Sequence, residues 1–129
     1  MRTMTRRTAM LAFLLSLALP ACGGGDSIAT GPSDNYLPTI SNFWRNVATP
    51  AHTLTLQSAS DNKPSGTFTG TEAHPTFGQS TLTGSFTNSR ASMVISRAAG
   101  AATYSATFYG SAKDSLRLTR GNETLVFKR

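Results

Sequence analysis

The side chains able to do chemistry in this chain are few: one cysteine, Cys22, two histidines, His52 and His74, and six carboxylates. A single cysteine excludes an intramolecular disulfide framework and any Cys-rich zinc site. His52 and His74 lie 22 residues apart, each near a proline (Pro50 and Pro75). A shared metal would need a third ligand, and Asp61 and Glu72 are the only nearby acids. Two histidines and a carboxylate make a loose zinc set, but histidines in loops ordinarily face solvent, so neither a metal nor another cofactor is expected. There is no Gly-x-Ser-x-Gly elbow, His-Glu-x-x-His pair, phosphate-cradling glycine loop or calcium-loop spacing. Asp114 and Glu123 read as surface charges beside turns. With so little acid–base material, the chain reads as a non-enzymatic protein.

Cys22 stands at an informative place. Arg2, Arg6 and Arg7 precede an apolar run from Ala9 to Leu19, broken only by Ser16. A basic start and a short apolar stretch make a secretory signal, too short for a mature membrane span. The run ends Leu19-Pro20-Ala21-Cys22, which resembles the lipobox of bacterial lipoproteins. The resemblance implies a signal peptide over residues 1–21, diacylglycerol on the Cys22 thiol and a fatty acyl chain such as palmitate on the new amine. Gly23 in place of an aspartate then favours the periplasmic face of the outer membrane over the inner membrane. Arg6-Arg7 also loosely resembles a twin-arginine signal, so the export route stays open.

Residues 22–38 are rich in Gly, Ser, Asp and Pro and read as a lipidated cysteine with a flexible tether. The precursor carries a formal net charge of +6. Removing the signal removes three arginines and leaves nine basic and six acidic residues, about +3. Nucleic-acid binding loses its main support at that charge, and the basic residues Arg90, Arg97, Arg117, Arg120, Lys128 and Arg129, scattered through the strands, read as a solvated face.

From Thr39 to Arg129 the hydrophobic period is two. Candidate strands lie around Phe43–Val47, Thr53–Gln57, Thr67–Thr69, Thr81–Thr87, Ser92–Ser96, Tyr104–Tyr109, Ser115–Thr119 and Thr124–Lys128. Connections such as Asn88-Ser89 and Gly121-Asn122 are turn-like and join antiparallel neighbours. The fold class is therefore all-β, an up-and-down meander of about eight strands. A small closed barrel, which abolishes exposed edges, is favoured over a two-sheet sandwich. Thirteen apolar side chains, from Leu54 to Phe127, share the inward phase, enough to fill so small a barrel.

Phe43-Trp44 at the head of the first strand, followed by seven more strands, resembles the lipocalin and wider calycin barrels. That resemblance implies that Trp44 closes one barrel end with a basic residue packed over it, Arg120 or Arg129. Asn42 stands two positions before Trp44 in place of the family's glycine. The longest connection, Thr71 to Gln79, contains His74 and Phe77, and loops on rigid scaffolds are where binding concentrates. Asp61 to Pro64 reads as a plain turn. Trp44, His74, Phe77 and Tyr109 are thus the candidate contact residues. The expected function is a membrane-anchored envelope lipoprotein that binds a small apolar ligand or an envelope component. The alternative is a structural, interaction or inhibitor lipoprotein acting through loops and outer surface around a filled core.

Overall fold

A computed structural model describes residues 35–129; the expected signal segment, Cys22 and most of the expected tether lie outside the described residues. Eight strands follow one another: β1 (Asn42–Asn46), β2 (Thr53–Gln57), β3 (Ser65–His74), β4 (Gly78–Thr87), β5 (Arg90–Arg97), β6 (Gly100–Tyr109), β7 (Ser115–Arg120) and β8 (Glu123–Lys128). Each pairs antiparallel with the next, and β1 returns to β8, so the sheet closes into a barrel. This is the expected up-and-down barrel and not the sandwich. Closure leaves no unpaired strand edge among the described residues, which removes the usual route to edge-to-edge aggregation.

Several strands are longer than expected: β6 begins at Gly100, β5 at Arg90 and β3 at Ser65, and the largest change is between β3 and β4. Residues 71–79 are not an extended loop: β3 runs on to His74 and β4 starts at Gly78, leaving a tight connection at 75–77. The inward phase of β3 passes through Gly66, Phe68, Gly70, Glu72 and His74. Two glycines and a carboxylate occupy positions where an apolar residue is ordinarily found, so the alternation is geometrically intact but chemically disguised.

The interior is filled by side chains. Trp44, Leu54, Leu56, Phe68, Leu82, Met93, Ile95, Tyr104, Phe108, Leu116, Leu118 and Phe127 are all at or below 2% exposure. Each such burial contributes roughly 1.5–3 kcal/mol. The rings of Phe68 and Phe108 meet edge to face at 6.3 Å, and Trp44 and Phe108 stand 6.0 Å apart. Gly84 is part of this packing: a Cβ placed there would lie 2.1 Å from the Phe68 ring. The outer wall of β2 to β4 is by contrast a hydroxyl surface of Thr55, Thr69, Thr71, Thr81, Thr83 and their neighbours, where β-branching favours the strand while the hydroxyl stays wet.

The chain enters at one end of the barrel, here the tether end, and lies across it. The Tyr36 hydroxyl donates to the Gly110 carbonyl at 3.2 Å, and Pro38 accepts from the Asn62 amide at 2.8 Å. Asp61 is no plain turn residue: its Oδ1 accepts from the amides of Ile40 at 2.6 Å and Ser41 at 3.0 Å. The Trp44 indole donates to the Ile40 carbonyl at 3.0 Å, and the Arg129 guanidinium lies 5.7 Å above the indole. Of the two arginines put forward for that place, the structure selects Arg129.

Candidate functional site

The opposite, distal end is where chemistry-bearing residues meet. It is formed by the β1–β2 connection, the turns at 75–77, 98–99 and 121–122, and the strand ends beside them. Asn46, buried at the end of β1, shapes the first of these, its Oδ1 accepting from the amides of Ala48 and Thr49 at 2.9 and 2.8 Å.

At its centre is Glu72, an inward residue of β3 with 0% exposure. An ionised carboxylate in such a place is tolerated only when paired and hydrogen-bonded. Arg97, the last residue of β5, supplies a two-point clamp: Nε donates to Oε2 at 2.9 Å and Nη2 to Oε1 at 2.6 Å. His52 adds Nε2 to Oε1 at 2.7 Å. Burial alone would raise the Glu72 pKa, but the hydrogen bonds and charges of Arg97 and His52 outweigh it and hold the carboxyl at about 2, below its ordinary 4.5. The same pairing raises the pKa of Arg97, chiefly through its hydrogen bonds to Glu72 and against the effect of burial.

Rings extend this cluster outward. His52 packs edge-on against Phe127 at 5.0 Å and His74 at 4.4 Å, and His74 stands 4.4 Å from Phe77. His74 Nδ1 accepts from the amides of Thr76 and Phe77 at 2.9 and 3.2 Å, so it organises the turn that presents Phe77. Burial first, then repulsion from His52, lowers the His74 pKa from 6.5. This favours the neutral ring, whose lone pair those amides need. The Arg97 guanidinium lies 4.5 Å over the Phe77 ring, yet Phe77 remains 43% exposed.

A second pair borders the cluster. Arg97 and Arg120 approach the Tyr104 ring at 5.6 and 5.9 Å, and the Tyr104 hydroxyl reaches both Glu123 carboxylate oxygens at 3.4 Å. A shallow cleft of about 160 Å³ lies between Phe77, Arg97, Gly100, Ala102 and Arg120. Ser80, inward on β4 and directly opposite Glu72, has a buried hydroxyl without a partner among the described residues.

Of the four candidate contact residues, the structure brings His74 and Phe77 together at this end. Trp44 is wholly buried and serves the tether end. Tyr109 lies on the outer wall at the end of β6, with the Arg117 guanidinium 5.1 Å over its ring. His52, His74 and Glu72 do converge, whereas Asp61 is at the other end of the barrel. Among the described residues no three His, Cys, Asp or Glu side chains are arranged to hold a metal ion. The residue that sequence reasoning missed is Arg97, taken for a scattered surface cation. Its signal was its phase, inward with Met93 and Ile95 on the same strand.

Fold and site together define a small closed up-and-down β-barrel, compatible with lipocalin-like barrels, with a filled interior and a charged distal end. No family model, no curated protein and no solved structure matches this chain.

Proposed function

We propose that this protein is a non-enzymatic envelope lipoprotein, anchored through Cys22, that binds a protein partner with the distal end of its barrel around Phe77. One observation carries the reading. The barrel interior is occupied by its own rings, down to Phe68 filling the space a Gly84 side chain would need, while Phe77 stands exposed on a fixed support of His74 and Arg97. An exposed aromatic ring held in place loses little conformational freedom on binding, which suits it to be an interface anchor. The tether argues the same way, since it attaches at the opposite end and leaves the Phe77 end facing away from an anchoring membrane.

An apolar ligand inside the barrel would have to displace packed rings, so this reading places binding at the end and not in the core. The test has two arms. A photo-crosslinking residue at position 77, in the native host, is expected to capture a discrete envelope protein, and the same residue at position 83 on the hydroxyl wall is not. Native mass spectrometry of the purified protein is expected to give a clean apo mass after incubation with a fatty acid. A stoichiometric fatty-acid complex, or equal crosslinking from both positions, would overturn the proposal.

A further inference from the structure

The basic residues look scattered along the sequence, but the fold sorts them. Residues 35–129 contain nine lysines and arginines and four carboxylates. At the distal end Arg97 and Arg120 are balanced by Glu72 and Glu123. The remaining seven cations face only Asp61 and Asp114, so the whole excess of positive charge lies on the rest of the molecule.

Most of it gathers where the chain enters. Lys63 sits on the β2–β3 connection that is bonded to Pro38, and Arg90 opens β5 beside the turn whose Asn88 amide donates to Pro64. Lys113 reaches across to the Asn62 side chain at 3.1 Å. Arg129 follows β8 and lies over Trp44, its Nη2 donating to the Ala112 carbonyl at 3.1 Å. Lys128 stands next to it, opposite Arg45 across the closing seam of the barrel. The two acids offset only part of this face, two carboxylates against five cations. Asp61 is turned inward onto the Ile40 and Ser41 amides, and Asp114 is shared between Ser115 and, at 3.8 Å, Lys128.

We infer that the tether end is a docking face for an anionic lipid surface, on which Lys63, Arg90, Lys113, Lys128 and Arg129 meet headgroup phosphates. The barrel then stands on the bilayer with its neutral, Phe77-bearing end pointing outward. Charge complementarity and the place where the chain leaves the fold carry this. It goes beyond the proposed partner binding and holds with or without the lipid on Cys22. An anchor would add effective concentration without any new contact. Cations near an anionic leaflet contribute about 1 kcal/mol each, within a screening length of about 8 Å at physiological salt.

The test uses residues 23–129, which hold the whole barrel and the tether but no acylation site. Vesicles of 30% phosphatidylglycerol in phosphatidylcholine are compared with phosphatidylcholine alone by co-flotation. Binding is expected to the anionic vesicles only, and to disappear in 0.5 M salt. Lys63→Glu and Lys113→Glu are each expected to weaken partitioning at least fivefold or so, from the loss of one cation's contribution and the gain of repulsion. Arg120→Glu, with the same change in net charge at the distal end, is expected to change it less than about twofold. Amide spectra of each variant establish that the barrel is intact. Equal binding to neutral vesicles, equal losses from all three variants, or tight binding to an acidic polysaccharide without binding to vesicles would each overturn the inference. None of these results bears on the crosslink from position 77, so the two proposals fail separately.

Discussion

The two ends of this barrel are closed by different means. At the tether end there is spare chain: residues 36–41 lie across the opening, with the amides of Ile40 and Ser41 accepted by a single carboxylate, Asp61. At the distal end the connections are mostly tight turns, so side chains must do the closing, and those available are Glu72, Arg97, His52 and His74. A backbone plug needs one acceptor for each amide it buries. A plug of charges needs every charge matched, because an unpaired buried ion costs far more than an unmade neutral hydrogen bond. The distal end is therefore the fragile one.

The gravest lesion at the distal end is one that unbalances its charges. Arg97→Ala leaves Glu72 buried with only His52 beside it and is expected to cost about 3–5 kcal/mol in urea unfolding. Replacing both partners, Glu72→Leu with Arg97→Leu, is expected to recover most of that loss, since well-packed apolar pairs often match buried ion pairs. If Arg97→Ala costs less than about 1 kcal/mol, against that expectation, the ion pair is not what closes this end. The corresponding lesion at the tether end is Asp61→Ala. It orphans two amides and is expected to cost about 1–3 kcal/mol. Hydrogen exchange should then accelerate at Ile40 and Ser41 while the amides of Thr76 and Phe77 keep their protection.

The same contrast explains what the sequence made legible. The core was readable because apolar residues keep a period of two: Leu54, Leu56, Leu82, Met93 and Ile95 all face inward as their phase requires, whereas Asp61 at the tether end read as a plain turn because its amide partners lie 21 and 20 residues away. Trp44 with a covering arginine followed from a family resemblance, and geometry chose Arg129. The distal end was misread because its inward positions are not apolar. Glu72 ended the visible alternation of β3, so residues 71–79 read as a loop, and Arg97 read as a surface charge although it continues the phase of Met93 and Ile95. The partnership of Glu72 with Arg97, 25 residues on, depends on the β3–β4 and β4–β5 registers together. No local pattern announces such a pair.

Acid acts on the distal cluster without any mutation. A carboxyl held below its ordinary value stabilises the fold at higher pH and loses that contribution as it is protonated. For Glu72 the loss runs from about pH 4.5 down to about 2. His74 adds a gentler decline that begins below 6.5, because its folded-state pKa is lowered and the unfolded chain takes up the proton more readily. Urea midpoints measured from pH 8 to 2 should follow this two-part fall. The doubly leucine-substituted barrel should lose the steeper part. A parallel acid limb in that variant would mean that carboxylates elsewhere, Asp114 among them, govern acid unfolding.

The smallest expected effect concerns Ser80. Its hydroxyl is buried opposite Glu72 and has no partner among the described residues. An unsatisfied buried hydroxyl costs free energy that alanine does not, so Ser80→Ala is expected to be neutral or to stabilise by up to about 1 kcal/mol. The alternative outcome is as informative. A destabilisation above about 1 kcal/mol, the scale of a net hydrogen bond, would mean that the hydroxyl is bonded in solution and completes the shell around Glu72. The distal plug would then be a fully matched polar network like its backbone counterpart, and its fragility would rest on Arg97 alone.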